Sequence, residues 1–278
     1  HTVSFDETPS DETSSFLGSK LSAAFVDGDS GNITNMSSWC SDCSFPQYEA
    51  YAMGDNELIV TFRKSGSLST GVHAQIFNLE GQMMGPDGGL IISDEVNDQR
   101  NSDITYNEVH DEYLVCWDDN RDVSLAGYSC GDSSSGATYT TLADCASDCG
   151  DLDCEEVLVA DNDLICSTLD YDGGLVVSNV IPIASIPVTS QEDATVFAAA
   201  SGTYMIAWKD MRNAANLDQS LNLSFEWDAY YQELTPFGIV YADGGTALST
   251  NPFQQVNFKF SALSEDDNLY VVAWEDDR

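Results

Sequence analysis

A nine-residue string written three times limits what this chain can fold into. Tyr113-Leu-Val-Cys-Trp117-Asp-Asp119-Asn-Arg121 recurs as Tyr204-Met-Ile-Ala-Trp208-Lys-Asp210-Met-Arg212 and as Tyr270-Val-Val-Ala-Trp274-Glu-Asp276-Asp-Arg278. A degenerate fourth copy, Leu58-Ile-Val-Thr-Phe62-Arg63, keeps the apolar strand and lacks the Asp and Arg. Three of the chain's five arginines occupy this one repeated position. Two further elements keep step with it. An apolar residue precedes an acidic, Gly-bearing turn at Phe25-Val-Asp27-Gly, Phe77-Asn-Leu-Glu80-Gly81, Leu169-Asp170-Tyr-Asp172-Gly173 and Tyr241-Ala-Asp243-Gly244. A Gln opens a short strand at Gln47, Gln99, Gln191 and Gln255. From turn element to the next Trp or Phe the gaps are 37, 40, 39 and 33 residues, whereas the return gaps are 15, 52 and 33. Length varies mainly in one loop per repeat, as in a solid scaffold with one permissive connection.

Each repeat reads as four short strands. Alternating apolar residues and Gly, Asp and Asn turns mark them at Leu58–Phe62, Val72–Phe77, Leu90–Ile92 and Ile104–Tyr106. No stretch carries a helical period. On the Trp strand, Tyr113, Val115 and Trp117 share one face and Leu114 and Cys116 the other, with Ala207, Ala273 or Thr61 at the Cys116 position in the sister copies. One face is bulky, the other small, and both are apolar. Such a strand must be buried on both sides, as in sheets stacked around an axis; a sandwich would leave one face polar. The expected fold is all-β: a four-bladed β-propeller of four-stranded antiparallel sheets. It forms one domain over 1–278, with a Cys-rich insertion at 122–163 and an aromatic insertion at 213–236. The chain opens with the later strands of a repeat, within Leu21 to Tyr51, and stops on a Trp strand at Arg278. Closure by pairing of the N- and C-terminal segments is therefore expected. In the alternative, the C-terminal strand completes a neighbouring molecule's blade.

The pattern Tyr-x-x-x-Trp-x-Asp-x-Arg, followed by a strand such as His73-Ala-Gln-Ile-Phe77 and a Gly turn, resembles the β-propeller repeats of secreted and cell-surface proteins. The resemblance spans nearly the whole chain outside the insertions and departs at Phe62-Arg63-Lys64. It implies a fold and leaves function open, because such repeats serve many activities.

Charge and cysteine usage narrow the setting. Against 47 Asp and Glu stand 9 Lys and Arg, a net charge of −38. This excludes nucleic acid and anionic lipid as partners, since phosphate binding needs clustered cations. No apolar run reaches the roughly 20 residues of a membrane span. Eight cysteines and sequons at Asn32, Asn35 and Asn222 point to a secreted, extracellular or cell-surface glycoprotein. Cys116 and Cys166 replace small core residues in one repeat, and adjacent strands would bring them together as a disulfide. Cys40 and Cys43 mimic a thiol-redox motif, yet they follow two sequons in a polar loop, and a structural disulfide is the plainer reading. Cys130, Cys145, Cys149 and Cys154 lack clear zinc spacing and read as staples of a coreless insertion.

The remaining motifs favour structure over chemistry. Asp119–Arg121, Asp210–Arg212 and Asp276–Arg278 read as the same structural ion pair made repeatedly, beside Trp117, Trp208 and Trp274. Asp27 and Asp29 alternate like part of a calcium loop but lack the distal bidentate Glu; no other cofactor is suggested. The three histidines stand apart from any nucleophile, and only Arg63 and Arg100 lie outside the repeated motif. The function expected is a non-enzymatic structural or adhesive module that self-associates into a cell-surface layer or fibril. Alternatives are a carbohydrate- or calcium-dependent recognition module, with glycans as partners of exposed aromatics, and a glycoside hydrolase using a carboxylate pair near the channel.

Overall fold

The computed structural model describes residues 2–7, 21–26, 33–35, 44–65, 70–121, 123–130, 138–139, 141–149, 154–171, 175–187, 189–213, 227–235, 238–240, 244–251, 254–264 and 269–277. It is all-β apart from one short helix. The N-terminal sheet pairs β1 (Thr2–Glu7), β2 (Leu21–Val26) and β3 (Ile33–Asn35) in that order. Then come the repeat sheets. The first is β4 (Ser44–Met53), β5 (Glu57–Ser65), β6 (Thr70–Asn78) and β7 (Leu90–Ser93), a simple meander. The second opens with β8 (Gln99–Asn107) and β9 (Glu112–Asp119). An excursion follows, comprising β10 (Val123–Cys130), β11 (Thr138–Tyr139), α1 (Leu142–Cys149) and β12 (Cys154–Ala160), and the sheet resumes with β13 (Asp163–Tyr171) and β14 (Leu175–Ala184). The third contains β15 (Gln191–Ala198), β16 (Tyr204–Asp210), β17 (Asp228–Thr235) and β18 (Gly238–Ile239), with β19 (Thr246–Ser249) also on β17. The fourth has two strands, β20 (Gln255–Ser264) and β21 (Leu269–Asp276).

The frame of the repeat therefore starts at the Gln strand. Ile104–Tyr106 belongs to β8 and opens the second sheet instead of finishing the first. The aromatic insertion is also shorter than expected. Asp228–Thr235 is the third strand of its sheet, so Tyr230 and Tyr231 are sheet residues facing Trp208 and Ala207 in register. Leu234, opposite Tyr204, holds the place that Phe77 and Leu169 hold in the earlier sheets; the sequence reading had assigned that place to Tyr241. The cysteine-rich excursion folds as a small sheet of β11, β10 and β12 with α1 beside it. The helix escapes a periodicity test because it is only eight residues long. Its start is fixed by a reciprocal cap: Thr141 Oγ1 accepts from the Asp144 amide at 3.1 Å and donates to the Asp144 carboxylate at 2.7 Å. A Cys145–Cys154 disulfide ties it to β12.

Packing follows the two-faced design of the Trp strand. Ile59, Val72, Ala74 and Ile76 of the first sheet meet Tyr113, Val115 and Trp117 of the second. On the other side of that second sheet, Leu114, Cys116, Leu164 and Cys166 meet Tyr204, Ile206 and Trp208 of the third. Ala207 and Ala229 of the third meet Phe258, Phe260, Val272 and Trp274 of the fourth. Each bulky face thus sits on the small face of the preceding sheet. Trp117 and Trp208 are 0% exposed. Burying a large apolar side chain this way contributes about 1.5–3 kcal/mol. Cys116 lies directly opposite Cys166 across β9 and β13, and the two form the expected disulfide.

Among the described strands, the first and the last do not share a sheet. β2 is hydrogen-bonded along one edge to β1, from Thr2 opposite Val26 to Glu7 opposite Leu21, and along the other to β3. β1 pairs with β2 over its whole length and β3 pairs with it from Ala24 to Val26, while β21 has β20 as its one partner among the described strands.

Candidate association edge and polar belt

The repeated Asp and Arg close on each other within each motif. The indole Nε1 of Trp117 donates to the Asp119 carboxylate at 2.9 Å; Arg121 donates to the same group from its amide at 3.0 Å, Nε at 2.7 Å and Nη2 at 2.5 Å. Asp210 accepts likewise from Trp208 Nε1 at 3.0 Å, the Arg212 amide at 2.8 Å and Arg212 Nη2 at 2.5 Å. Arg212 also donates to the Gly244 carbonyl at 2.6 Å and lies 3.8 Å from the Tyr230 ring centroid. The motif is a clamp that ends its strand and fixes the indole, with the Asp buried at its centre. Trp274 and Asp276 stand at the matching places in β21; Arg278 lies outside the described residues.

A second recurring device runs through the first strands. β8, β15 and β20 each bulge two residues after the Gln, and Asn101, Asp193 and Asn257 there adopt positive φ of 53°, 54° and 58°. Asn and Asp tolerate that region better than other side-chain-bearing residues. The sequence carried this signal as Gln-x-Asn or Gln-x-Asp, and the reading above missed it. The bulges expose backbone amides that neighbouring carboxylates bind. Glu49 accepts from the Asn101 amide at 2.8 Å, the Ser102 amide at 2.9 Å and the Ser102 hydroxyl. Asp103 accepts from Thr195 Oγ1 at 3.1 Å and the Val196 amide at 3.0 Å. Asp118 accepts from Asn101 Nδ2 at 2.7 Å and the Asp193 amide at 3.0 Å. Burial raises all three carboxyls above the ordinary range; for Asp118 the Asp193 and Glu192 charges add to it. Farther along the strands, Tyr113 donates to Glu57 at 2.5 Å and Tyr204 to Glu112 at 3.0 Å, each joining one sheet to the one before.

The four first strands converge on a cavity of about 370 Å³. Glu49, Asp103, Asp193 and Lys259 line it together with Tyr48 and Phe258. Burial pushes the Tyr48 hydroxyl up to about 12. Asp193 holds the Lys209 ammonium at 2.5 Å, and Asn101 Nδ2 donates to it at 2.8 Å. Glu49 and Asp103 are both engaged by sheet-to-sheet hydrogen bonds.

The fourth sheet offers a different surface. Val271 is 43% exposed and Ala273 is exposed, while Leu114, Cys116 and Ala207 at the matching places are buried. Trp274 is half-buried, unlike Trp117 and Trp208. Among the described strands β21 pairs with β20 alone, and its outward face is apolar and exposed.

Of the other sequence candidates, Asp27, Asp29, Asn32, Asn222, Cys40 and Cys43 lie outside the described residues, as do the side chains of Asn35, Cys130 and Cys149. Among the described residues no group of three or more His, Cys, Asp or Glu is placed to hold a metal ion, and no helix is long and apolar enough to cross a membrane. Compared with known proteins, the chain matches no family model and no curated protein.

Proposed function

We propose that this chain is a non-enzymatic extracellular module, structural or adhesive, built as a four-bladed β-propeller and working by self-association into a cell-surface layer or fibril. The observation that carries the reading is the exposed apolar face of β21, where Val271 and Ala273 are exposed. That strand has the full Tyr-Val-Val-Ala-Trp sequence of a core strand, and among the described strands it pairs with β20. The propeller architecture is supported by the convergence of β4, β8, β15 and β20 on one cavity and by the same bulky-on-small contact at three successive junctions. Two disulfides fit an oxidising compartment. The pocket carboxylates bind the scaffold's own amides, which favours a structural role over catalysis.

Light scattering across a concentration series, with electron-microscope imaging of the same samples, tests the reading. Concentration-dependent oligomers or filaments are expected. A monodisperse monomer at the highest attainable concentration would refute it.

A further inference from the structure

We propose that Lys209 and Asp193 become joined by an intramolecular amide (isopeptide) bond, with Glu192 as the proton relay, a self-catalysed modification that staples β15 to β16. It is independent of self-association. The bulge residue of a first strand reaches the residue between Trp and Asp on the strand beside it. Asn101 Nδ2 donates to the Asp118 carboxylate at 2.7 Å, and Asn257 Nδ2 to the Glu275 carboxylate at 2.8 Å. In the third sheet both partners are changed. Asp193 stands at the bulge and Lys209 replaces the acid, with its Nζ 2.5 Å from Asp193 Oδ2. An amide facing a carboxylate makes a hydrogen bond and no more; an amine touching a carboxyl can also condense with it.

The surroundings supply the rest of the reaction. Glu192 lies directly opposite Lys209 in the ladder, and its Oε2 is 3.3 Å from Nζ. Asn162 Nδ2 and Arg100 Nη2 both donate to Glu192 Oε1, which leaves Oε2 for the amine. The side chains of Lys209 and Glu192 are 15% and 14% exposed, and the Trp227 ring centroid lies 4.4 Å from Nζ. Asp193, by contrast, is 47% exposed and lines the 370 Å³ cavity, into which a released water can leave. Burial draws the Lys209 ammonium down, but the hydrogen bonds and charges of Asp193 and Glu192 outweigh it and keep the proton on.

The step therefore starts from an ammonium and a carboxylate. Nζ gives a proton to Glu192 Oε2, and the freed lone pair attacks Asp193 Cγ. The Nζ–Cγ bond forms and one Cγ–O bond breaks. Nitrogen loses two protons, which Glu192 relays to the departing oxygen; that oxygen leaves as water. The new amide keeps one N–H, Glu192 ends as the carboxylate it began as, and nothing is oxidised or reduced. For free partners in water this condensation is unfavourable; partners held in contact act at effective concentrations of about 10⁵–10⁸ M. The third sheet would then carry a strand-to-strand staple, as Cys116–Cys166 is in the second.

Mass spectrometry of the full chain, reduced and freed of glycans, tests the bond. The wild type is expected to weigh one water less than its sequence. Peptide mapping should give a branched peptide joining positions 193 and 209, with no tryptic cleavage after Lys209. Lys209→Arg keeps a cation for Asp193 and Glu192 but cannot form the amide, and should have the full sequence mass. Glu192→Gln should keep the wild-type circular dichroism and remain unlinked. A wild-type chain at full sequence mass, cleaved by trypsin after Lys209, would overturn the proposal and leave the pair a salt bridge. A water loss that persists in Lys209→Arg would overturn it too, by placing the modification elsewhere. Linkage of Glu192→Gln as complete as that of the wild type would overturn the relay.

Discussion

Asp210→Ala should cost about 4 kcal/mol of stability, far more than one short polar side chain suggests. The carboxylate is completely buried and takes three donors: the Trp208 indole, the Arg212 amide and the Arg212 guanidinium. Trp208 is itself 0% exposed, so its orphaned N–H cannot reach water, a penalty of about 1–3 kcal/mol. Removing one partner of a buried ion pair costs about 3–5 kcal/mol. Arg212 moderates the sum by keeping the Gly244 carbonyl and its stack on Tyr230. Asp119→Ala should cost less, about 3 kcal/mol. Its Arg121 side chain is 27% exposed and has Glu95 at 3.7 Å as a second carboxylate. The Asp210→Ala, Arg212→Ala double variant should lose less than the two singles summed, with a coupling of about 2 kcal/mol. Equilibrium unfolding in urea supplies the energies, and the Trp208 indole proton in a nitrogen-15 correlation spectrum reports the lost acceptor. A cost under about 1 kcal/mol at Asp210, or strict additivity with Arg212, would refute the clamp as the element that secures the strand end.

Other perturbations follow the same physics. Replacing Cys116 and Cys166 by Ala should cost about 4 kcal/mol through loop entropy, measured by denaturant titration, given their separation of 50 residues; Ala already stands at both matching places, in Ala207 and Ala74, so packing should survive. Tyr113→Phe should lose about 2 kcal/mol by leaving Glu57 without its buried donor, and Tyr204→Phe less, because its bond to Glu112 is longer. Burial holds the His73 imidazole down at about 4, below its unfolded value, so its contribution is complete above about pH 6.5 and is lost as pH falls through about 4. His73→Ile, which copies Ile165 in the matching register, should therefore remove about 3 kcal/mol of acid sensitivity across that window; an unchanged pH slope would refute the assignment.

The stacked sheets were legible because burial on two faces leaves a compositional trace: the Tyr-to-Trp strands are apolar at every position, with Cys or Ala just ahead of the Trp. Cys116 and Cys166 were legible for the same reason, each replacing a small residue of one repeat. What escaped was set by backbone geometry or by competition between segments. The left-handed Asn101, Asp193 and Asn257 needed a comparison of polar positions as close as the one given to apolar ones. The true third strand of the third sheet was obscured because Tyr241-Ala-Asp243-Gly244 resembles the acidic sequences after Phe77 and Leu169, whereas Leu234 is followed by Thr-Pro-Phe-Gly. Above all, β1 shows no motif, yet it takes the edge of β2 by offering a complementary row of backbone groups. Pairing of that kind reads poorly from side chains.

The bulky-on-small contact between successive sheets has a further consequence. Each of the three described junctions joins unlike surfaces in the same order, so the stack has a direction, and no single junction states how many members it should have. Duplicating or deleting one unit would create no new kind of contact. What sets the number of units lies outside these three junctions.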